Sequence, residues 1–174
     1  MSEIDILKAI HNNDYNELLA LSKTSQFKEY LTNPVHKIIP IWAIKKDDTL
    51  FNKDLFTLLV DNGAIIDLTN KYGQTLLMYS IECGYIKLAK ALIECDCDLN
   101  IQDKAGMTAL HYAIYNLDVE MINILLLSDT DKTCKDNCGK TAYYYLINNV
   151  RHQHILEEEE KKKKCIQLFK LYTE

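Results

Sequence analysis

Residues 71–136 hold one passage written twice: KYGQTLLMYSIECGYIKLAKALIECDCDLNIQD (71–103), then KAGMTALHYAIYNLDVEMINILLLSDTDKTCKD (104–136). Gly73, Gly106 and Gly139 recur every 33 residues, and Thr75, Thr108 and Thr141 follow two positions behind them. A fixed period of this length is the signature of a repeat array. Within a unit, Gly106 supplies the positive φ or close backbone approach of a tight turn, and Thr108 can cap the helix that begins behind it. Leu110, Ala113 and Ile114 fall on one helical face, while Val119, Ile122, Leu125 and Leu126 make the stripe of a second helix. Neither helix can bury its stripe alone. Units must therefore stack, with Ala113, and Ser80 in the unit before, small enough for close approach.

Asp103, Gly106, Thr108, Leu110, His111 and Ala113, with Leu125 and Leu126, resemble the unit of the ankyrin repeat family. Gly73, Thr75, Leu77, Gly84, Leu92, Asp98 and Asn100 carry the resemblance through 71–103. The family's proline is Leu76, Ala109 and Ala142 here, its histidine is Met78 and Tyr144 in the flanking units, and its Gly-Ala pair occurs only at Gly63-Ala64. The resemblance implies an all-α fold: an ankyrin-repeat solenoid of about five helix-turn-helix units with short β-turn fingers and divergent capping units at both ends.

Residues 1–174 are expected to form a single domain, with units at about 2–32, 33–69, 70–102, 103–135 and 136–174. The first lacks the turn motif but sets Ile6, Leu7, Ala9 and Ile10 on one helix and Leu18, Leu19 and Leu21 on the next. Phe27 to Pro34 reads as a connector, ended by Asn33-Pro34. The second unit aligns Trp42, Ala43 and Ile44 with Tyr112, Ala113 and Ile114, and closes on Asp61-Asn62-Gly63-Ala64. In the fifth, a charged insertion over 151–164 precedes an apolar stripe of Cys165, Ile166, Leu168, Phe169 and Leu171. Glu157–Glu160 stand four residues ahead of Lys161–Lys164, the favoured order for helical ion pairs. A solvated helical extension and a charged irregular loop both fit this run.

Hydrophobic residues make up 48% of the chain, enough to fill a core, and the net charge of -5 argues against broad nucleic-acid binding. No apolar run approaches the roughly 18 residues of a membrane span, and the acidic start MSEIDILKAI is not a secretory leader. A monomer in the cytoplasm or nucleus is expected, or in the host cell cytosol if the source is a virus or intracellular pathogen. Cys83, Cys95, Cys97, Cys134, Cys138 and Cys165 share no spacing with the repeat and read as reduced thiols.

Zinc could draw on Cys95, Cys97, Cys134, Cys138, His111, His152 and His154, but a structural site needs four ligands converging, and the stacked units do not obviously bring these together. Cys83 and His111 could form a nucleophile and base, yet no orienting group or oxyanion motif accompanies them. No phosphate-binding glycine loop occurs. Tyr143, Tyr144 and Tyr145 point about 100° apart on a helix, so they pack separately instead of forming a stacking platform. No catalytic residue, cofactor or metal site is assigned.

The expected function is therefore a non-catalytic protein-protein interaction module, an adaptor, inhibitor or effector. An enzyme or metal-binding protein that uses the Cys and His residues on a repeat scaffold is the alternative. In the resembling family, His111 would stabilise its turn, and the variable turn and first-helix positions on the concave face contact a protein partner. Here these are Lys71, Tyr72, Gln74 and Glu82, then Lys104, Met107, Tyr115 and Asn116, then Asn137, Lys140 and Asn148. The alternative is that these are solvated loop residues. The family is also hydroxylated at a loop asparagine, and Leu92, Asp98, Leu99 and Asn100 fit that outline; the alternative is that Asn100 is an ordinary loop residue.

Overall fold

The computed structural model describes residues 3–32, 51–148 and 156–173. The unit expected around Trp42 falls largely outside them, as do His152 and His154. The helices, in chain order, are α1 (Glu3–His11), α2 (Tyr15–Ser22), α3 (Ser25–Thr32), α4 (Lys53–Asp61), α5 (Leu76–Cys83), α6 (Ile86–Glu94), α7 (Ala109–Tyr115), α8 (Val119–Leu127), α9 (Ala142–Asn148) and α10 (Leu156–Thr173). Among the described residues the only β pairing is two isolated antiparallel bridges, Thr69 with Thr75 and Lys135 with Thr141. The chain divides into two compact units, one of residues 1–68 with 84–97, the other of 69–83 with 98–174.

In the first unit, α2 packs against α1, α3 and α4, and α4 against α6. Its core gathers Ile6, Ala9, Ile10, Leu18, Phe27, Leu31, Leu55, Leu59 and Ala64. Helix starts are specified locally: Asp14 Oδ1 accepts the Glu17 amide at 3.0 Å, and Asn52 Oδ1 accepts the Leu55 amide at 3.1 Å. Two expectations are corrected here. Residues 27–32 belong to helix α3 instead of a connector, because Phe27 and Leu31 lie one turn apart and both enter the core, while Asn33-Pro34 lies outside the described residues. Leu7 is exposed, since Ile6, Ala9 and Ile10 define a face that leaves it outside.

In the second unit, α7 lies between α5 and α9, with α8 beside it, and α10 packs on α8 and α9. Leu77, Leu110, Ile114, Ile122, Leu125 and Leu146 are buried. Each such aliphatic side chain contributes about 1.5 to 3 kcal/mol through removal from water. Ala113 and Ser80 are fully buried, as close helix approach demands, and the Ser80 hydroxyl donates to the Leu77 carbonyl at 2.7 Å. Val119, expected in the α8 stripe, is half-buried; Met121 takes the interior place. The acidic and basic run is helical from Leu156, continuous with the closing stripe. Within that stripe Cys165 and Phe169, one turn apart, are buried, whereas Leu171 is 69% exposed: a single helical face cannot hold all five apolar positions.

Candidate functional site: a ladder of hydrogen-bonded fingers

One finger is built three times in the second unit. An Asx residue opens it, at Asn70, Asp103 and Asp136. Asp103 Oδ1 accepts the Ala105 and Met107 amides, both at 2.8 Å, and Asp136 Oδ1 accepts those of Cys138 and Lys140, both at 2.9 Å. Asn70 Oδ1 accepts the Tyr72 and Gln74 amides at 2.9 and 3.1 Å. The Gly73, Gly106 and Gly139 amides then donate back to the carbonyls of Asn70, Asp103 and Asp136, each at 2.9 Å. Short polar side chains that bond their own downstream backbone make such turns local in origin.

Neighbouring fingers are joined through their backbones. The Lys104 amide donates to the Tyr72 carbonyl and the Asn137 amide to the Ala105 carbonyl, both at 3.0 Å, while Asn137 Nδ2 donates to the Lys104 carbonyl at 2.9 Å. This close approach, as well as a φ of 81° and 79°, is what demands glycine at Gly73 and Gly106: a Cβ would lie 2.8 Å from Lys104 N and 2.7 Å from Asn137 N respectively.

Behind the two fingers that open on an aspartate, a tyrosine of the first helix holds the opening carboxylate. The Tyr112 hydroxyl donates to Asp103 Oδ2 at 2.7 Å, and the Tyr145 hydroxyl donates to Asp136 Oδ2. Burial, then the Asp103 bond, pushes the Tyr112 phenol up to about 12; the Asp136 bond, then burial, does the same at Tyr145. At Asp136 burial opposes the charge, but the Tyr145 hydroxyl and the Lys140 and Cys138 amides outweigh it and hold the carboxyl below its ordinary range. Tyr79, Tyr112 and Tyr145 share the 33-residue spacing of Asn70, Asp103 and Asp136. That polar register is a readable signal in the sequence, independent of the apolar periodicity.

His111 does stabilise its turn. The Thr108 amide donates to Nδ1 at 3.2 Å, the Thr108 hydroxyl lies 2.9 Å from the same nitrogen, and Nε2 stands 3.3 Å from the Lys140 carbonyl. An accepting Nδ1 and a donating Nε2 define the neutral imidazole, and burial lowers its pKa. With both ring nitrogens engaged, it is not a base waiting for Cys83. Among the described residues no group of three or more His, Cys, Asp or Glu side chains could hold a metal ion. None of the six cysteines is joined in a disulfide. The three tyrosines of α9 share no single face: Tyr143 packs 5.2 Å from the Phe169 ring, whereas the exposed Tyr144 meets Tyr145 edge-on at 5.9 Å and the Tyr145 hydroxyl turns to Asp136.

The expected contact positions fall into two groups. Lys71, Tyr72, Lys104 and Tyr115 are exposed, Tyr72 by 59% and Tyr115 by 48%, and the Lys71 ammonium sits 4.9 Å from the Tyr72 ring centroid. Met107 and Lys140 are half-buried, with the Lys140 ammonium 5.0 Å from the Tyr144 ring centroid. Others bond within the unit. Gln74 Nε2 donates to Glu82 Oε2 at 2.8 Å and to the Tyr112 hydroxyl at 2.9 Å; Asn116 Nδ2 donates to the Ile81 carbonyl at 2.8 Å, and Asn148 Nδ2 to the Tyr144 carbonyl at 2.9 Å. Asn100 is likewise engaged, donating to the Asp129 carbonyl at 3.2 Å and accepting the Asp131 amide at 2.7 Å. A modifying enzyme would have to draw this loop out of its bonding.

Stacked helix pairs with backbone-linked finger turns define a helical repeat protein. The ankyrin repeat model matches residues 6–103, 41–136 and 87–158. The chain belongs to the ankyrin repeat family, whose repeats are generally protein-protein interaction modules and typically non-catalytic. No curated protein matches the chain. Among the described residues no helix is long and apolar enough to cross a membrane.

Proposed function

We propose that the chain is a non-catalytic adaptor, inhibitor or effector that grips a protein partner along the ladder of fingers from Lys71 to Lys140, with the first-helix ends at Glu82, Tyr115 and Asn148 completing the surface. The observation that carries this reading is the exposure of Tyr72 and Tyr115 on a rigid, hydrogen-bonded frame. Aromatic side chains lose little entropy on immobilisation and are the commonest energetic anchors of interfaces. Lys71 and Lys104 add local positive charge that steers a partner presenting carboxylates.

The test uses a partner captured from the native cell. Tyr72→Ala combined with Tyr115→Ala should weaken its binding by roughly 2 kcal/mol, about thirtyfold, with little change in melting temperature. Lys163→Ala, on exposed α10 surface, serves as control. Loss of binding in the control alone, with the tyrosine pair intact, would place the interface elsewhere.

A further inference from the structure

The second unit carries another surface, formed where the stacking of repeats stops. Leu99, at the end of the third repeat, and Thr108 and Leu110, in the fourth, are buried, and α9 packs on α7. The positions 33 residues later are Lys132, Thr141 and Tyr143, all only half-buried. Gly139 shows the same contrast: a Cβ there meets nothing within 4 Å, whereas at Gly106 it meets the backbone of the next finger. In the fifth repeat, the corresponding region is a groove of about 390 Å³.

Its chemistry is specific. Tyr143 and Phe169, with ring centroids 5.2 Å apart, supply an aromatic floor, and Lys132, Lys135 and Lys170 supply the rim. The lining contains no carboxylate, and among the described residues no carboxylate pairs with any of the three ammonium groups. This stands out in a chain of net charge -5. Replacing Leu99 by Lys132 and Leu110 by Tyr143 in register also makes the surface unsuited to a further finger of the same kind. Fingers of this chain bring Lys71, Lys104 or Lys140 near their tips, so a second copy stacked there would add like charges to the rim.

We propose that this groove takes an acidic segment of a partner protein, its carboxylates meeting Lys132, Lys135 and Lys170 and one aromatic side chain lying on the half-buried Tyr143 ring, which the buried Phe169 ring backs from beneath. Lysine provides point charges that tolerate several carboxylate geometries, and offset aromatic packing fixes the depth of insertion. The site is separate from the finger edge and does not depend on it.

Fluorescence anisotropy on the full chain tests this with a labelled Glu-Glu-Phe-Glu-Glu peptide and its Lys-Lys-Phe-Lys-Lys counterpart. The acidic peptide should bind with one-to-one saturation that weakens with salt, and the basic one should not bind. Lys132→Glu with Lys170→Glu, both on the surface, should cost about tenfold or more in affinity, while Lys71→Glu with Lys104→Glu should change it by less than about twofold. Tyr143→Ala should weaken binding while the salt dependence persists. The inference is overturned by no saturation up to about 1 mM peptide, by full affinity in the Lys132 and Lys170 variant, or by displacement of the peptide by single-stranded DNA of equal charge at lower concentration. Loss through the Lys71 and Lys104 pair alone would also overturn it and would assign the peptide to the finger edge.

Discussion

Gly106 and Gly139 share a left-handed backbone but not an environment, and that difference isolates the contribution of the joint between fingers. Alanine at either position adopts a positive φ at a cost of about 1 to 2 kcal/mol. At Gly106 the new Cβ also meets Asn137 N at 2.7 Å and Asp136 C at 2.9 Å, both backbone atoms that cannot swing aside. Gly106→Ala should therefore cost about 1 to 3 kcal/mol more than Gly139→Ala, the range of overpacking penalties. Urea melts of the two variants measure the difference, and equal costs would mean that the fingers are not joined as described. His111 supplies a second residue-scale expectation. Burial lowers its pKa from 6.5, so as pH falls the unfolded chain takes up a proton that the folded chain refuses. The sign follows: stability rises with pH across this window and is lost as pH drops below about 6.5. The urea midpoint of the parent should fall between about pH 7.5 and pH 5.5, and His111→Gln, less stable throughout, should show a smaller fall. An identical fall in both would assign the dependence to other groups.

Among the elements, α10 bears most on the integrity of the second unit, because Cys165 and Phe169 cover α8 and α9. A chain truncated after Val150 should expose that apolar surface, lower the melting temperature and promote association on size exclusion. A monomeric truncation with an unchanged melting temperature would show that α10 is dispensable. How much of each element was legible varied with its signal. The helices of 71–136 could be read because apolar spacing and a 33-residue register agreed at Leu77, Leu110 and Ile122. Helix α3 was not, since Asn33-Pro34 punctuates the stretch while Phe27 and Leu31 alone reveal the buried face. The finger tips were legible as positions, but that Gln74, Asn116 and Asn137 spend their amides inside the unit is a tertiary fact. So is the groove at Tyr143, which among the described residues no finger covers.

For the whole molecule, charge is distributed against the total. A chain of net charge -5 places Lys71 and Lys104 on successive fingers and Lys132, Lys135 and Lys170 around one groove, a local positive potential that the proposed acidic partners would meet. The ankyrin repeats supply the frame for this: each finger is bonded to its neighbour before any partner arrives, and little ordering entropy remains to be lost on binding. Hydrogen-deuterium exchange of the full chain, with and without its captured partner, tests the proposed binding edge most directly. Binding there should slow exchange in the finger peptides 70–74, 103–107 and 136–140 and at the Tyr115 end of α7. Slowing confined to α1, α2 and α3, with all three fingers unchanged, would contradict it.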